Sequence, residues 1–244
     1  MIEITVNIAG YAFAIRALYP ETEKLFEDYL TEDAPLFIIE SGTDQIAAER
    51  QLLKKNTETG SRSVETFSDA LIESNYFYRE VAERLSRYGV ILLHGSAVAV
   101  DGEAYIFVAP SGTGKSTHTR LWREAFGERA VMINDDKPLL KCTDHGIFAC
   151  GSPWNGKHHL SRNMIVPLKA ICFLGRAKEN HIERISSEAA FMPMLTASYQ
   201  SKTADREACI LQSLQCVRKQ IAFYRLRCNT DPGAASVSYE EMRT

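Results

Sequence analysis

Residues Ala109 to Ser116, APSGTGKS, constrain this chain more than any other stretch. The run fits GxxxxGK[ST] at every position but the first, where Ala109 stands in place of glycine. It follows an apolar strand, Tyr105 to Val108, and opens an amphipathic helix carrying Leu121, Trp122, Ala125 and Phe126. A loop in that setting turns backbone N–H groups toward anionic oxygens, sets a lysine on the β and γ phosphates of a nucleotide, and offers a hydroxyl to Mg²⁺. Gly112, Gly114, Lys115 and Ser116 supply these parts, and Ser111, Thr113 and Thr117 complete the expected contact set. Alanine fits the first position if its φ is negative, because its Cβ then meets nothing near the phosphates. An ordinary strand-to-helix turn explains the same residues less well, since both flanking elements are present.

A Mg·ATP site also needs a carboxylate beside the metal, at the end of a neighbouring strand. Val131 to Ile133 reads as such a strand, and it leads into Asp135 and Asp136. Adjacent carboxylates divide labour: one takes the metal and the other accepts the proton of an attacking hydroxyl. A solvated turn before Pro138 is the plainer alternative. His94 and Gly95 sit between two short strands just upstream, where a side chain reaches toward the γ-phosphate, although a lone histidine in that place is more often structural.

Elsewhere the pattern reads as two parts. Ile2 to Ile8 and Tyr11 to Ile15 alternate as a hairpin, Glu21 to Leu30 as a short acidic helix, Leu36 to Ile39 as a strand, and Asp44 to Lys55 as helix or irregular chain. Asn56 to Ser63, polar and holding Gly60, is the expected linker. Ser63 to Tyr88 has the apolar spacing of one long helix face. After Gly89 come the strands Val90 to Leu93, Ala97 to Val100 and Ala104 to Val108, the loop, a helix from Lys115 to Phe126, and a hairpin of Leu139 to Cys142 with Ile147 to Cys150. Leu168 to Leu174, His181 to Ile185 and Ile221 to Leu226 read as strands, and Ser187 to Leu195 and Thr203 to Val217 as helices. The expected organisation is an accessory α+β region over 1–88 and a nucleotide-binding catalytic domain over 89–244.

Composition excludes several classes. Hydrophobic residues at 45% and charged residues at 24% are ordinary globular usage. With 28 Lys plus Arg against 31 Asp plus Glu, no overall positive field draws in nucleic acid or an anionic membrane. No apolar run approaches the roughly 20 residues of a membrane span, and the N-terminus lacks a signal-peptide pattern, so a cytoplasmic protein is expected. The six cysteines lie far apart without metal-ligand spacing and are read as reduced. Cys142 and Cys150 flank the turn Asp144-His145-Gly146 and are placed to face each other across the hairpin.

The stretch LLHGSAVAVDGEAYIFVAPSGTGKSTHTRLWREAFGERAVMINDDKPLL resembles the catalytic core of the HPr kinase/phosphorylase family. The hallmarks are a His-Gly, a hairpin, a GxSGxGKS-type loop and a strand ending in Asp-Asp, and His94 stands 21 residues before Lys115 as that family requires. The resemblance implies the fold shared with phosphoenolpyruvate carboxykinase, an α/β architecture with a mixed sheet. It implies ATP and Mg²⁺ as cofactors, Lys115 on the β and γ phosphates, Ser116 and Asp135 at the metal, Asp136 as proton acceptor, and His94 assisting transfer or orienting Asp136. It also implies a homo-oligomer, since the family is often hexameric. Three positions depart from the pattern: Thr117 stands where the family usually has Glu, GSPWNGKHHLSRN replaces the glycine-rich signature and its metal-binding Glu, and the first part of the chain does not match the family's N-terminal domain. The chain is therefore most similar to shorter HPr-kinase-like proteins, some of which phosphorylate peptide serines.

The polar segment Gly151 to Asn163 is long for a turn and is expected to be a substrate lid. Lys157 and Arg162 are its candidate γ-phosphate cations, with Arg176 a weaker third; solvated loop charge explains them as well. Trp154 is read either as a stacking surface or as a loop anchor, and His158 and His159 are not read as metal ligands. The expected activity is an ATP-dependent kinase acting on a serine hydroxyl of a protein or peptide. A small-molecule (free serine) kinase, a carboxykinase-like enzyme and a non-catalytic ATP-binding switch remain as alternatives.

Overall fold

The structure, a computed structural model, describes residues 1–57 and 64–244 and divides into two compact units, Met1–Arg84 and Leu85–Thr244. The segment Asn56–Ser63 expected as a linker lies outside the described residues except for its first two, which close a helix.

In the first unit, β1 (Ile2–Ile8) and β2 (Tyr11–Ala17) form the expected antiparallel hairpin, and β3 (Ile38–Glu40) pairs in parallel with β2. α1 (Glu21–Leu25) is shorter than the expected helix, because Phe26 leaves helical geometry and Glu27–Tyr29 tightens into a 3₁₀ turn. α2 (Thr43–Thr57) is fully helical. α3 (Asp69–Leu85) replaces the longer helix expected over 63–88, with 3₁₀ turns at Val64–Thr66 and Ser86–Tyr88 beside it. Glu73 on α3 is completely buried, and four donors answer its carboxylate: the Leu18 and Tyr19 amides at 2.7 and 3.3 Å and the Thr22 and Ser41 hydroxyls at 2.5 Å.

The second unit is a large mixed sheet with helices on both faces. Its elements run β4 (Val90–Leu92), β5 (Ser96–Val100), β6 (Glu103–Val108), α4 (Lys115–Phe126), β7 (Ala130–Asn134), β8 (Leu139–Thr143), β9 (Gly146–Cys150), β10 (Ile165–Arg176), β11 (His181–Ile185), α5 (Ser187–Ala197), α6 (Ala204–Gln220), β12 (Ala222–Cys228) and α7 (Gly233–Met242). Strand order is β4-β8-β9-β10-β6-β5-β7, with β12 also on β10 and β11 on β12. The centre, β6-β10-β12, is parallel, whereas β5, β7, β9 and β11 run antiparallel to their partners.

Strand alternation sends side chains to two faces, and each face has its own core. Ile106, Val108 and Ile171 pack with Ile210, Leu214 and Val217 of α6, while Tyr105, Phe107 and Cys172 pack with Leu121 and Trp122 of α4 and Ala234 and Ala235 of α7. The α7 helix was not anticipated: its buried residues include alanines and a serine, which give no apolar periodicity. The hairpin β8-β9 forms as expected, but its register sets Cys142 opposite Ile147 and Cys150 opposite Leu139, so the two cysteines do not face each other and both thiols are free. No helix among the described residues is long and apolar enough to cross a membrane.

Candidate functional site

The buried strand β6 delivers the chain to the loop Ala109–Gly114, and α4 leaves from it. Ala109 is buried and is not among the residues with positive φ, which meets the condition for an alanine there. Gly112 and Gly114 take φ of 76° and 126°, a region that side-chain-bearing L-residues rarely occupy. Gly114 caps α4 without any side-chain hydrogen bond, so the first N–H groups of the helix lack intrahelical acceptors and its positive end is turned to the loop.

Lys115 is buried at 8% exposure, and its ammonium lies 2.8 Å from the Ala109 carbonyl and 3.1 Å from His94 Nε2. Burial holds it below the usual lysine range; Asp136 opposes that shift and Lys137 adds to it. An ammonium only donates, so His94 Nε2 must accept, and the imidazole proton sits on Nδ1. Nδ1–H then donates to Asp136 Oδ1 at 3.2 Å. The Lys137 ammonium, 3.2 Å from the same Nδ1, cannot also donate to it; its electrostatic partner is Asp136 Oδ2 at 3.5 Å. Burial raises the Asp136 pKa, but the His94 hydrogen bond and the Lys137 charge outweigh burial and leave it below the ordinary aspartate range.

The acidic turn is positioned by Asn134, the last residue of β7 and fully buried. Its Oδ1 accepts the Asp136 and Lys137 amides at 2.8 and 2.6 Å, and its Nδ2 donates to the Ser152 and Trp154 carbonyls at 3.0 and 3.1 Å. One amide thus ties the turn to the segment Gly151–Asn163. Ser96 Oγ and the Gly95 amide add bonds to the carbonyls of Asp135 and Asp136, fixing the His-Gly turn against the acids.

That segment is anchored at its start. Gly151, Ser152, Pro153 and Trp154 are all buried, which makes Trp154 an anchor and removes the stacking alternative. A Cβ at Gly151 would lie 1.8 Å from the Arg162 carbonyl. Gly156 donates its N–H to Asp135 Oδ1 at 2.5 Å, and a Cβ there would sit 3.0 Å from Oδ2. Asp135 is 4% exposed, and its Oδ2 has no hydrogen-bond partner.

A cavity of about 470 Å³ gathers most of the expected residues: His94, Ser111, Gly112, Gly114, Lys115, Ser116, Thr117, Asp135, Asp136 and Lys157. Arg162 is exposed and outside this lining; its backbone pairs with Ile133 instead. Arg176 bonds the carbonyls of Gly112 and Thr113 from outside the loop, and it lines a second cavity of about 340 Å³ together with Thr113. Asn134, Lys137, Ser152 and Gly156 escaped the sequence reading. Asn134 and Lys137 had only their place beside the Asp pair as a signal, and Ser152 and Gly156 only their place in the expected lid segment. The cavity in the N-terminal unit, about 410 Å³, carries none of these motif residues.

Comparison with known proteins gives two results of different weight. A family model described as "ScmC: SynChlorMet cassette protein ScmC" matches residues 66–232, more than half of the chain and the whole of the site. No curated protein matches. Among solved structures the chain is similar to the "Hpr(Ser) kinase/phosphatase from Coxiella burnetii", at 11% identity and a TM-score of 0.28, over 52% of this chain and 96% of that one.

Proposed function

The chain belongs to the ScmC family of SynChlorMet cassette proteins, and on that premise we propose that it is an ATP- and Mg²⁺-dependent kinase transferring the γ-phosphoryl group to a hydroxyl, a serine of a protein or peptide. One observation carries the reading. A glycine-shaped loop and a buried lysine share a cavity with a His–Asp pair and with Asp135, whose buried Oδ2 is unpartnered.

The donor set suits Mg²⁺. A carboxylate oxygen stripped of water and hydrogen-bond donors calls for a cation, and the exposed Ser116 hydroxyl in the same cavity is a second oxygen donor. Mg²⁺ takes few protein ligands and fills its shell with water and phosphate oxygens. Ser116 and Asp135 would hold it, and when bound it neutralises charge on the transferring phosphoryl group.

The chain's own residues do the rest. The amides at the start of α4 and the Lys115 ammonium receive the β and γ phosphates. His94, its Nδ1–H on Asp136 Oδ1, orients that carboxylate so that Oδ2 faces the task of taking the acceptor's hydroxyl proton. The acceptor oxygen bonds to the γ-phosphorus, the bond to the β-phosphate oxygen breaks, and ADP leaves with the electron pair. Lys157, exposed at the rim of the same cavity, is the further cation for the equatorial oxygens.

The test is Asp136→Asn. Mg·ATP binding by calorimetry stays within a few-fold of the parent while phosphoryl transfer, followed by mass spectrometry on candidate peptides and on free serine, falls by about 10² to 10⁴. Undiminished transfer in that variant removes Asp136 from the role.

A further inference from the structure

Resting on the kinase reading above, we propose that the second cavity, on the Thr113 and Arg176 side of the glycine loop, is the subsite for the nucleoside end of the phosphoryl donor. Gly112, Gly114 and Thr117 line both cavities, so the two adjoin across the loop and the first residues of α4. A triphosphate with its terminal phosphorus at Asp136 must carry its other end away from the acids. The second cavity has none of His94, Asp135 or Asp136 in its lining, which excludes it as the place of the hydroxyl acceptor.

Its size and walls fit a nucleoside. About 340 Å³ lies within the range of small-molecule clefts. Leu174 near the end of β10, Ala177 just beyond it and Cys228 at the end of β12 give it an apolar side. The polar side is built in advance. Asn229 donates Nδ2 to the Lys178 carbonyl at 2.7 Å, accepts the Asp231 amide on Oδ1 at 2.9 Å, and donates its own N–H to Asn180 Oδ1 at 3.0 Å. Those bonds commit Asn229 to shaping the rim. Arg176 is equally committed, holding Gly112 and Thr113 carbonyls, which joins this rim to the loop that receives the phosphates.

Calorimetry with two Mg²⁺-loaded probes, ATP and inorganic tripolyphosphate, tests the assignment on the full chain. In the parent protein ATP binds about tenfold or more tighter than tripolyphosphate, reflecting the buried base and sugar. Ala177→Trp and, independently, Cys228→Phe narrow the cavity, since both residues line it and Cys228 packs on the α4 face of the sheet. In each variant the ATP advantage disappears while tripolyphosphate affinity is unchanged, the latter also reporting that the fold is intact. Lys115→Ala weakens both probes. Equal affinity of the parent for the two probes, or an ATP advantage that survives both cavity variants, overturns the subsite while leaving the phosphate loop standing. Failure of the parent to bind either probe removes the kinase reading and the subsite with it.

Discussion

At the scale of single residues, Asn134 decides more than its neutrality promises. Its side-chain amide, fully buried, is the joint between the acidic turn and the segment Gly151–Asn163, its bonds to that segment buried and those to the turn half-buried. Asn134→Leu keeps the volume and leaves the amides of Asp136 and Lys137 and the carbonyls of Ser152 and Trp154 without their partner. Urea unfolding should show a loss of roughly 2–4 kcal/mol, the sum of a few unsatisfied groups. A loss under about 0.5 kcal/mol, the scatter of neutral surface changes, would mean that the turn is held by something else. The sequence announced Asp135 and Asp136 because a strand ending in paired acids beside a glycine loop is a pattern. It could not announce Asn134, since an amide that bridges two segments is defined by partners distant in the chain, among them Ser152 and Trp154.

At the scale of elements, α4 and α7 meet through a polar contact inside an apolar layer. Trp122 Nε1 donates to His118 Nε2 at 3.1 Å and to Ser238 Oγ at 2.9 Å, and His118 is 2% exposed. Burial depresses the His118 pKa from 6.5 to about 4. Between those values the unfolded chain takes up a proton that the folded chain refuses, so folding stability declines as pH drops from 6.5 toward 4 and rises again with pH. The linkage amounts to about 3 kcal/mol when the whole window is crossed. Urea unfolding at pH 7 and pH 4.5 checks it: His118→Gln should flatten this part of the profile, and an unchanged slope would assign the acid sensitivity to other groups. Strands and helices with strong periodicity, such as β1, β6 and α4, were legible from the sequence. The α7 helix was not, because Ala234, Ala235 and Ser238 are buried through closeness to α4 rather than through a hydrophobic stripe. Nor was the short α1, which ends on the backbone geometry of Phe26.

At the scale of the whole molecule, the two compact units each have their own sheet and buried residues. Scanning calorimetry should resolve two transitions, and Mg·ATP at a hundredfold excess over its Kd should raise only the one belonging to residues 85–244, by the equivalent of about 2.7 kcal/mol. A single transition that moves as one would show the units to be thermodynamically inseparable. Within the second unit, β10 spans twelve residues and bonds to β9 at its beginning and to β6 and β12 further on. The segment Gly151–Asn163 leaves from β9 and returns into β10, while Arg176, the last residue of β10, grips the glycine loop. Both banks of the crevice therefore hang from one girder. They cannot part like jaws on a hinge without tearing the ladder that carries them, so admission and refusal of an acceptor fall to the few exposed residues at the tip, Lys157 to His159, and it is there that a change of clientele would be written.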